Sequence, residues 1–502
     1  MRKNDVFTTT IEDIGVGGEG IGKVDGYTLF IKDTLPGEVI KGIATKIGPR
    51  YGYGRLMEIL KPSPDRVEPR CPSARACGGC TLQHMSYEGQ LVYKEKKVRD
   101  CLERIGGVDM SEVEWLPILG MKKDGTGNDG AGEDFSISAS SMPPDKSPTA
   151  LPDTPWHYRN KAQFPVQRDK EGNPVAGFYA GRSHRVISVD ACAIQHPVIN
   201  EVVDCVLAFM RDFSVAPYDE EKHSGLVRHI YVRRGYHTGQ VMVCLVINGT
   251  ALPHSEELVL RFQKIEGMTS ISLNVNTKKT NVILGRQMIP LWGPLYIEDC
   301  IGDIRYRISP QSFYQINPIQ TQKLYETALS FASLKGDERV WDLYCGIGTI
   351  SLFFAKELSG NLSKMPSKMQ SRGEVFGVEI VPEAVENAKE NAKLNGIENV
   401  SFVCGAAEDV VPNMADKGAD ELSVDVVVVD PPRKGCDAAL LDTMVRLAPE
   451  RIVYVSCNPA TLARDVKVLG EKGYEVKKVR AVDMFPQGGH VESVCLLHRR
   501  DT

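Results

Sequence analysis

From position 340 onward, short apolar runs alternate with amphipathic stretches. RVWDLYC is followed by a helical pattern from Thr349, EVFGVE by one after Pro382, then come VSFVCG, VDVVVVD, a helix after Asp437, RIVYVS and a further helix. Apolar runs of this length suit strands buried on both faces, and helices between them make the connections cross over. The pattern predicts a parallel sheet with helices on both faces, its ligand at the carboxyl ends of the strands.

Several of those ends carry residues suited to chemistry. WDLYCGIGTI sets Gly346 and Gly348 between a strand and a helix, where the backbone can turn sharply and let a ligand approach. Glu379 ends the next strand, in place to accept hydrogen bonds from ribose hydroxyls. It lies further from Gly346 than the usual twenty or so residues, and the polar insertion ELSGNLSKMPSKMQSRG explains the excess. A nicotinamide cofactor needs GxGxxG for its pyrophosphate. This loop reads GIGTIS, so the sequence favours S-adenosylmethionine, which has no phosphate.

VDVVVVDPPRKG ends on Asp430, fixed by the two prolines behind it, and RIVYVSCNPATLARD delivers Cys457 to the same edge. A buried cysteine is more often inert packing than a reagent, so neighbouring groups must decide its role. Amino-group methyltransferases grip an exocyclic nitrogen with a related Asp/Asn-Pro-Pro-aromatic loop. Here Arg433 replaces the aromatic, and an amine methyltransferase using Asp430 stands as a rival that has no use for Cys457.

Upstream, 502 residues call for roughly two to four domains at about 100 to 200 residues each. The first sixty or so residues alternate short apolar runs with turns such as GVGGEGIG, which is a small β-barrel pattern. Between positions 41 and 61, Lys41, Lys46, Arg50, Arg55 and Lys61 face only Glu58, and with Tyr51 and Tyr53 they would suit an RNA backbone and stacked bases. KPSPDRVEP then breaks the pattern. Cys71, Cys77 and Cys80 give a C-x5-C-x2-C run that needs one distant cysteine to complete four thiolates. Leu91, Val98, Leu102 and Ile105 fall close to helical spacing after it. Residues 121–154 read as a flexible insertion without a catalytic role.

SCNPATLARD, DPPRKG and GGHVES, with SPQSFYQINP at positions 309–318, resemble the RNA uracil-5 methyltransferases. The resemblance covers nearly the whole chain, because the family's 23S ribosomal RNA branch also has an N-terminal TRAM barrel and a cysteine-bound [4Fe-4S] cluster. It implies that Gln315, Tyr344, Glu379 and Asp430 contact S-adenosylmethionine, that Cys457 is the nucleophile and Glu492 the base, and that Cys192 joins Cys71, Cys77 and Cys80 around the cluster. Zinc is the alternative occupant, although four-thiolate zinc more often uses two Cys-x2-Cys pairs and only one is present. The chemistry agrees with these roles. Carbon 5 of uracil is too weak a nucleophile to take a methyl group directly. A thiolate adding at carbon 6 activates it, and a base must then remove the carbon 5 proton.

The expected architecture is an OB-like TRAM barrel over 1–62, a central α+β iron-sulfur domain over 63–308, and a Rossmann-like α/β methyltransferase domain over 309–502. With a net charge of -5, RNA binding must use local basic patches. Arg159, Lys161, Arg168, Arg182, Arg185, Arg228, Arg233 and Arg234 form the second candidate patch, positioning RNA through its phosphates. The target uridine must leave any stack, which points to loop or single-stranded RNA. The preferred substrate is 23S rRNA, with transfer RNA as runner-up and a non-catalytic RNA-binding accessory role as the rival of a different class. Thirteen cysteines without a secretory context, an N-terminus without a signal-peptide core and no apolar run of membrane length lead us to expect a cytoplasmic monomer with reduced thiols.

Overall fold

The computed structural model describes residues 1–122, 153–181, 183–362, 373–416 and 424–500. Nearly all of the insertion expected at 121–154, and Arg182 of the expected RNA surface, lie outside the described residues.

Strands Val6–Ile14, Gly20–Val24, Tyr27–Ile31, Val39–Ile47 and Tyr51–Lys61 close into a barrel. Alternation along the first strand turns Phe7, Thr9 and Ile11 inward, as a period of two requires. The Phe7 ring fills the interior so fully that a Cβ at Gly42 would stand 2.6 Å from it, and one at Gly54 2.8 Å. Glycine at both positions is therefore a packing requirement.

The central part is a seven-stranded sheet built around Lys161–Arg168, Val227–Arg234, Val241–Ile247 and Met268–Val275. Helices Pro197–Asp212 and Ser255–Phe262 cover one face with Val202, Val206, Phe209, Leu258 and Phe262. The opposite face, carrying Tyr231, Met242 and Cys244, packs with the C-terminal part in a single hydrophobic cluster.

The C-terminal sheet runs in the order Val400–Cys404, Glu374–Glu379, Arg339–Leu343, Val426–Val429, Arg451–Ser456, Glu492–Arg499, Tyr474–Val482 and Glu114–Leu119. The first five strands are parallel, as expected, but Glu492–Arg499 runs antiparallel to both of its neighbours, so the sheet is mixed. The chain also crosses the expected boundary at 309. Strand Glu114–Leu119 extends the sheet edge beside Tyr474–Val482, and helix Tyr87–Arg104 lies on helix Pro459–Glu471. Val98 and Leu102 of the earlier helix share one core with Leu462, Val466 and Leu469 of the later one, which is why a segment next to the cysteines docks on the catalytic sheet. No helix among the described residues is long and apolar enough to cross a membrane.

Candidate active site

A cavity of about 580 Å³ opens at the carboxyl ends of the parallel strands. Gln315, Tyr344, Glu379, Asp430, Cys457 and Glu492, drawn from separate parts of the sequence, all line it.

Its cofactor side is built by the turn after Arg339–Leu343. Tyr344, Gly346 and Gly348 have φ of 71°, 56° and 80°, in the left-handed region. At Gly346 a side chain would meet no atom within 4 Å, so the backbone conformation sets the requirement there. At Gly348 a Cβ would stand 3.0 Å from the Phe402 ring, so space sets it. Glu379 accepts from Gly346 N at 3.0 Å and from Val381 N at 2.9 Å, which fixes its carboxylate at the strand end. The Tyr344 hydroxyl donates to Glu408 at 2.7 Å. At the floor, Ser351 Oγ donates to Asp342 at 2.5 Å, and burial pushes the Asp342 carboxyl up to about 7. Glu408 and Asp342 were missed in the sequence, although each stands in or just after a strand of the alternating pattern.

Cys457 owes its position to a local rule. Ser456 ends a buried strand, and Asn458 caps the following helix by accepting from Ala460 N at 3.2 Å, with Pro459 as first helical residue. The cysteine between them is held at the strand-to-helix corner, half-buried and facing the cavity. Burial pushes its thiol up to about 11, with added repulsion from Glu492 and Asp430, while Arg433 opposes the shift.

Glu492 begins the antiparallel strand and is only 3% exposed. Burial, then Asp430, holds its carboxyl well above the usual range, and burial pushes Asp430 up to about 7. The two acids line the same cavity and act on one another, so ionising the second is disfavoured once the first is charged. His490, edge-on to the Phe485 ring at 6.0 Å, also lines the cavity. Burial lowers its pKa, and Arg433, Lys97 and Lys94 lower it further, so its imidazole is neutral at neutral pH.

The loop at 483–490 is held from outside the catalytic domain. Lys94 donates to Asp483 and to Phe485 O, Tyr87 to Asp483, Tyr158 to Pro486 O, and Gln90 pairs with Gln487. Leu82 N and Thr81 Oγ1, next to Cys80, bond Gln487 O and Gly489 N at 3.0 and 3.1 Å.

Cys71, Cys77, Cys80 and Cys192 come together as free thiols beside this loop. Burial pushes Cys80 up to about 12, and Cys192, Cys77 and Cys71 add to the shift, so the four sulfurs sense one another. Among the described residues no three His, Cys, Asp or Glu are disposed around a single metal ion. Cys80 and Cys192 share a largely apolar surrounding with Met121, Tyr158 and Ile194, and a set of four thiolates is the donor chemistry an iron-sulfur cluster takes.

The proposed RNA surface of the central domain is sorted by the structure. Arg228, Arg233 and Arg234 are buried. Arg228 donates to Asn276 O and Lys278 O at 2.7 Å and lies over the Tyr218 ring at 4.4 Å, so it braces the sheet and does not face outward.

The sequence matches the family model described as tRNA (uracil-5-)-methyltransferase over residues 146–500. The chain belongs to that family. A TRAM domain model matches residues 2–57, the closed barrel. Among curated relatives, an uncharacterized RNA methyltransferase of Halalkalibacterium halodurans is 48% identical, covering 100% of this chain and 98% of its own, and one of Clostridium acetobutylicum is 44% identical with the same coverage. The solved tRNA (uracil-54, C5)-methyltransferase of Pyrococcus abyssi, in complex with S-adenosyl-L-homocysteine, is 26% identical, with a TM-score of 0.70 over 98% of this chain and 99% of its own. The fold of this RNA uracil-5 methyltransferase is thus a Rossmann-like catalytic domain with an N-terminal TRAM barrel.

Proposed function

We propose that this RNA uracil-5 methyltransferase takes its methyl group from S-adenosylmethionine and places it on carbon 5 of a uridine in 23S rRNA, through a transient bond between Cys457 and the uracil ring. The observation that carries the reading is the convergence of Cys457, Asp430 and Glu492 on one cavity with the Tyr344–Gly348 turn and Glu379. An amine methyltransferase would have no use for a cysteine there.

The cofactor supplies a methyl group on a positively charged sulfur. Gln315, Tyr344, Glu379 and Asp430 are the residues that hold it in this reading. The Cys457 thiolate adds to carbon 6 of the uracil, and the electron pair of the C5=C6 bond moves onto carbon 5. Carbon 5 takes the methyl group as the bond from that methyl to the cofactor's sulfur breaks. Glu492 then removes the carbon 5 proton, the C5=C6 bond re-forms and the thiolate leaves.

Ribosomal RNA is favoured by the pairing of a TRAM barrel with four neighbouring cysteines, which resembles the ribosomal branch. We assign those cysteines to a [4Fe-4S] cluster with a structural role, since they adjoin the segment bonded to the 483–490 loop. Transfer RNA is the second reading, because the Pyrococcus abyssi protein acts on tRNA. Mass-spectrometric mapping of 5-methyluridine in ribosomal and transfer RNA from a deletion strain separates them. Loss of a 23S rRNA site is expected, and loss confined to tRNA overturns the ribosomal assignment.

A further inference from the structure

Lys161 and Arg233 are direct cross-strand partners in the central sheet, so their side chains stand on the same face, a like-charge pairing that destabilises a sheet unless something offsets it. Both lie over one ring. Lys161 Nζ is 5.7 Å from the Tyr231 centroid, and Arg233 Cζ is 5.7 Å from the same point. Arg159 stands two residues before Lys161 and acts on it electrostatically.

Arg233 is 2% exposed, and its guanidinium reaches only backbone carbonyls, Ser309 O at 3.4 Å and Ser312 O at 3.2 Å. The Nε atoms of Arg159 and Arg233 and the Tyr231 hydroxyl are buried without a partner. Among the described residues no carboxylate pairs with Arg159, Lys161 or Arg233. Arg233 is buried and Arg159 and Lys161 are partly buried, and cations gathered away from bulk water without a counter-charge are costly, so the three together form a site suited to an anion. Burial, followed by Arg233 and Arg159, pushes Lys161 down to about 8, the response of an ammonium that lacks its partner.

The cluster adjoins the active-site rim. Asn160, between Arg159 and Lys161, donates its backbone N to Ile316 O at 2.9 Å and its side chain to Gln315 O at 3.0 Å, and both acceptor residues line the cavity. Arg233 bonds Ser312, whose neighbour Phe313 lines the cavity while 69% exposed. We infer that Arg159, Lys161 and Arg233 form a phosphate site that grips one phosphodiester of the RNA beside the uridine admitted to the cavity. The inference rests on RNA being the substrate, and it adds a fixed point that holds the strand while the base turns inward.

The test uses uridine-centred oligoribonucleotides in which one linkage at a time is a neutral methylphosphonate. With wild-type protein, one linkage near the uridine should weaken binding about ten-fold when neutralised, the scale of a charge-assisted contact. Lys161→Met should bind unmodified RNA more weakly and lose less than wild type when that linkage is neutralised, because the two changes share a contact while Arg159 and Arg233 still face the phosphate. Its slope of log affinity against log salt should fall by about 0.7, and Lys161→Arg should restore it. S-adenosylmethionine affinity should be unchanged.

Additive losses from the variant and the neutral linkage overturn the site, as does wild-type binding indifferent to every single methylphosphonate. A Lys161→Met protein that loses cofactor affinity but keeps RNA affinity overturns it too, assigning the cations to the cofactor's carboxylate. Wild-type protein that binds none of the oligonucleotides overturns the RNA reading itself, and this inference with it.

Discussion

Lys94 Nζ donates to Asp483 Oδ1 at 2.5 Å, and neither side chain meets solvent. The pair joins the helix that follows the cysteine-rich segment to the loop that carries Phe485 and His490 and leads into Glu492. Its partners are prearranged: Tyr87 also donates to Asp483 at 2.9 Å, and Lys94 makes a second bond to Phe485 O at 2.9 Å.

Removing Lys94 leaves Asp483 buried without its counter-charge and with Tyr87 as its remaining donor, and breaking a buried pair in this way costs about 3 to 5 kcal/mol. Lys94→Met should therefore lower stability by about that much, and adding Asp483→Asn should recover part of the loss. Denaturant unfolding of the single and double variants measures both. A Lys94→Met protein as stable as wild type shows that the loop is held by its other bonds alone.

Cys457→Ala should bind S-adenosylmethionine with unchanged affinity and form no product, because the thiol is not among the residues assigned to hold the cofactor. Calorimetry reads the first and methyl transfer from labelled cofactor reads the second. Activity near wild type would favour the amino-group reading.

The thiol sits high, at about 11, so in the free protein its reactive fraction is small at neutral pH and grows about tenfold per pH unit below that value. Alkylation of Cys457 by iodoacetamide, followed on its own peptide, should rise in that way from pH 7 to pH 10. Arg433 pulls the thiol pKa down, so Arg433→Gln should raise it and slow alkylation at every pH in the range. S-adenosylmethionine brings a positive charge that S-adenosylhomocysteine lacks. Alkylation should be faster with the first than with the second, and equal rates would place the charge out of reach of the thiol.

The cluster assignment predicts brown protein after anaerobic purification, carrying iron and sulfide, both lost in Cys80→Ser. Stoichiometric zinc without iron in such a preparation overturns it.

The parallel core of the catalytic sheet was legible because each strand is a continuous apolar run bounded by turn residues, and Cys457 and Asp430 were legible because they end such runs. Glu492 could be named but not its burial: nothing in GGHVES shows that the start of this strand is only 3% exposed. The docking of Glu114–Leu119 was hidden for a related reason. Its burial is only partial along the strand, so no strict alternation marks it, and its place comes from pairing with a strand some 360 residues away, as in the register Lys478↔Glu114. The burial of Arg228, Arg233 and Arg234 was not legible, because composition does not show which side of a sheet a guanidinium faces.

Glu492 is needed in the proposed sequence only after methyl transfer, so its loss should stall the reaction late. In Glu492→Gln the amide cannot accept the carbon 5 proton, yet addition of Cys457 and methylation remain possible. The carbon 5 proton then blocks elimination, and a methylated RNA-protein adduct should accumulate. On a denaturing gel it appears as a slow band that carries label from the methyl group and is absent from the Cys457→Ala, Glu492→Gln double variant. Burial makes the experiment informative, because water has little access to the position that Glu492 occupies at 3% exposure. His490 is the nearest alternative, neutral and lining the same cavity. Free turnover by Glu492→Gln with no trapped band, together with trapping in His490→Ala, would move the base to His490.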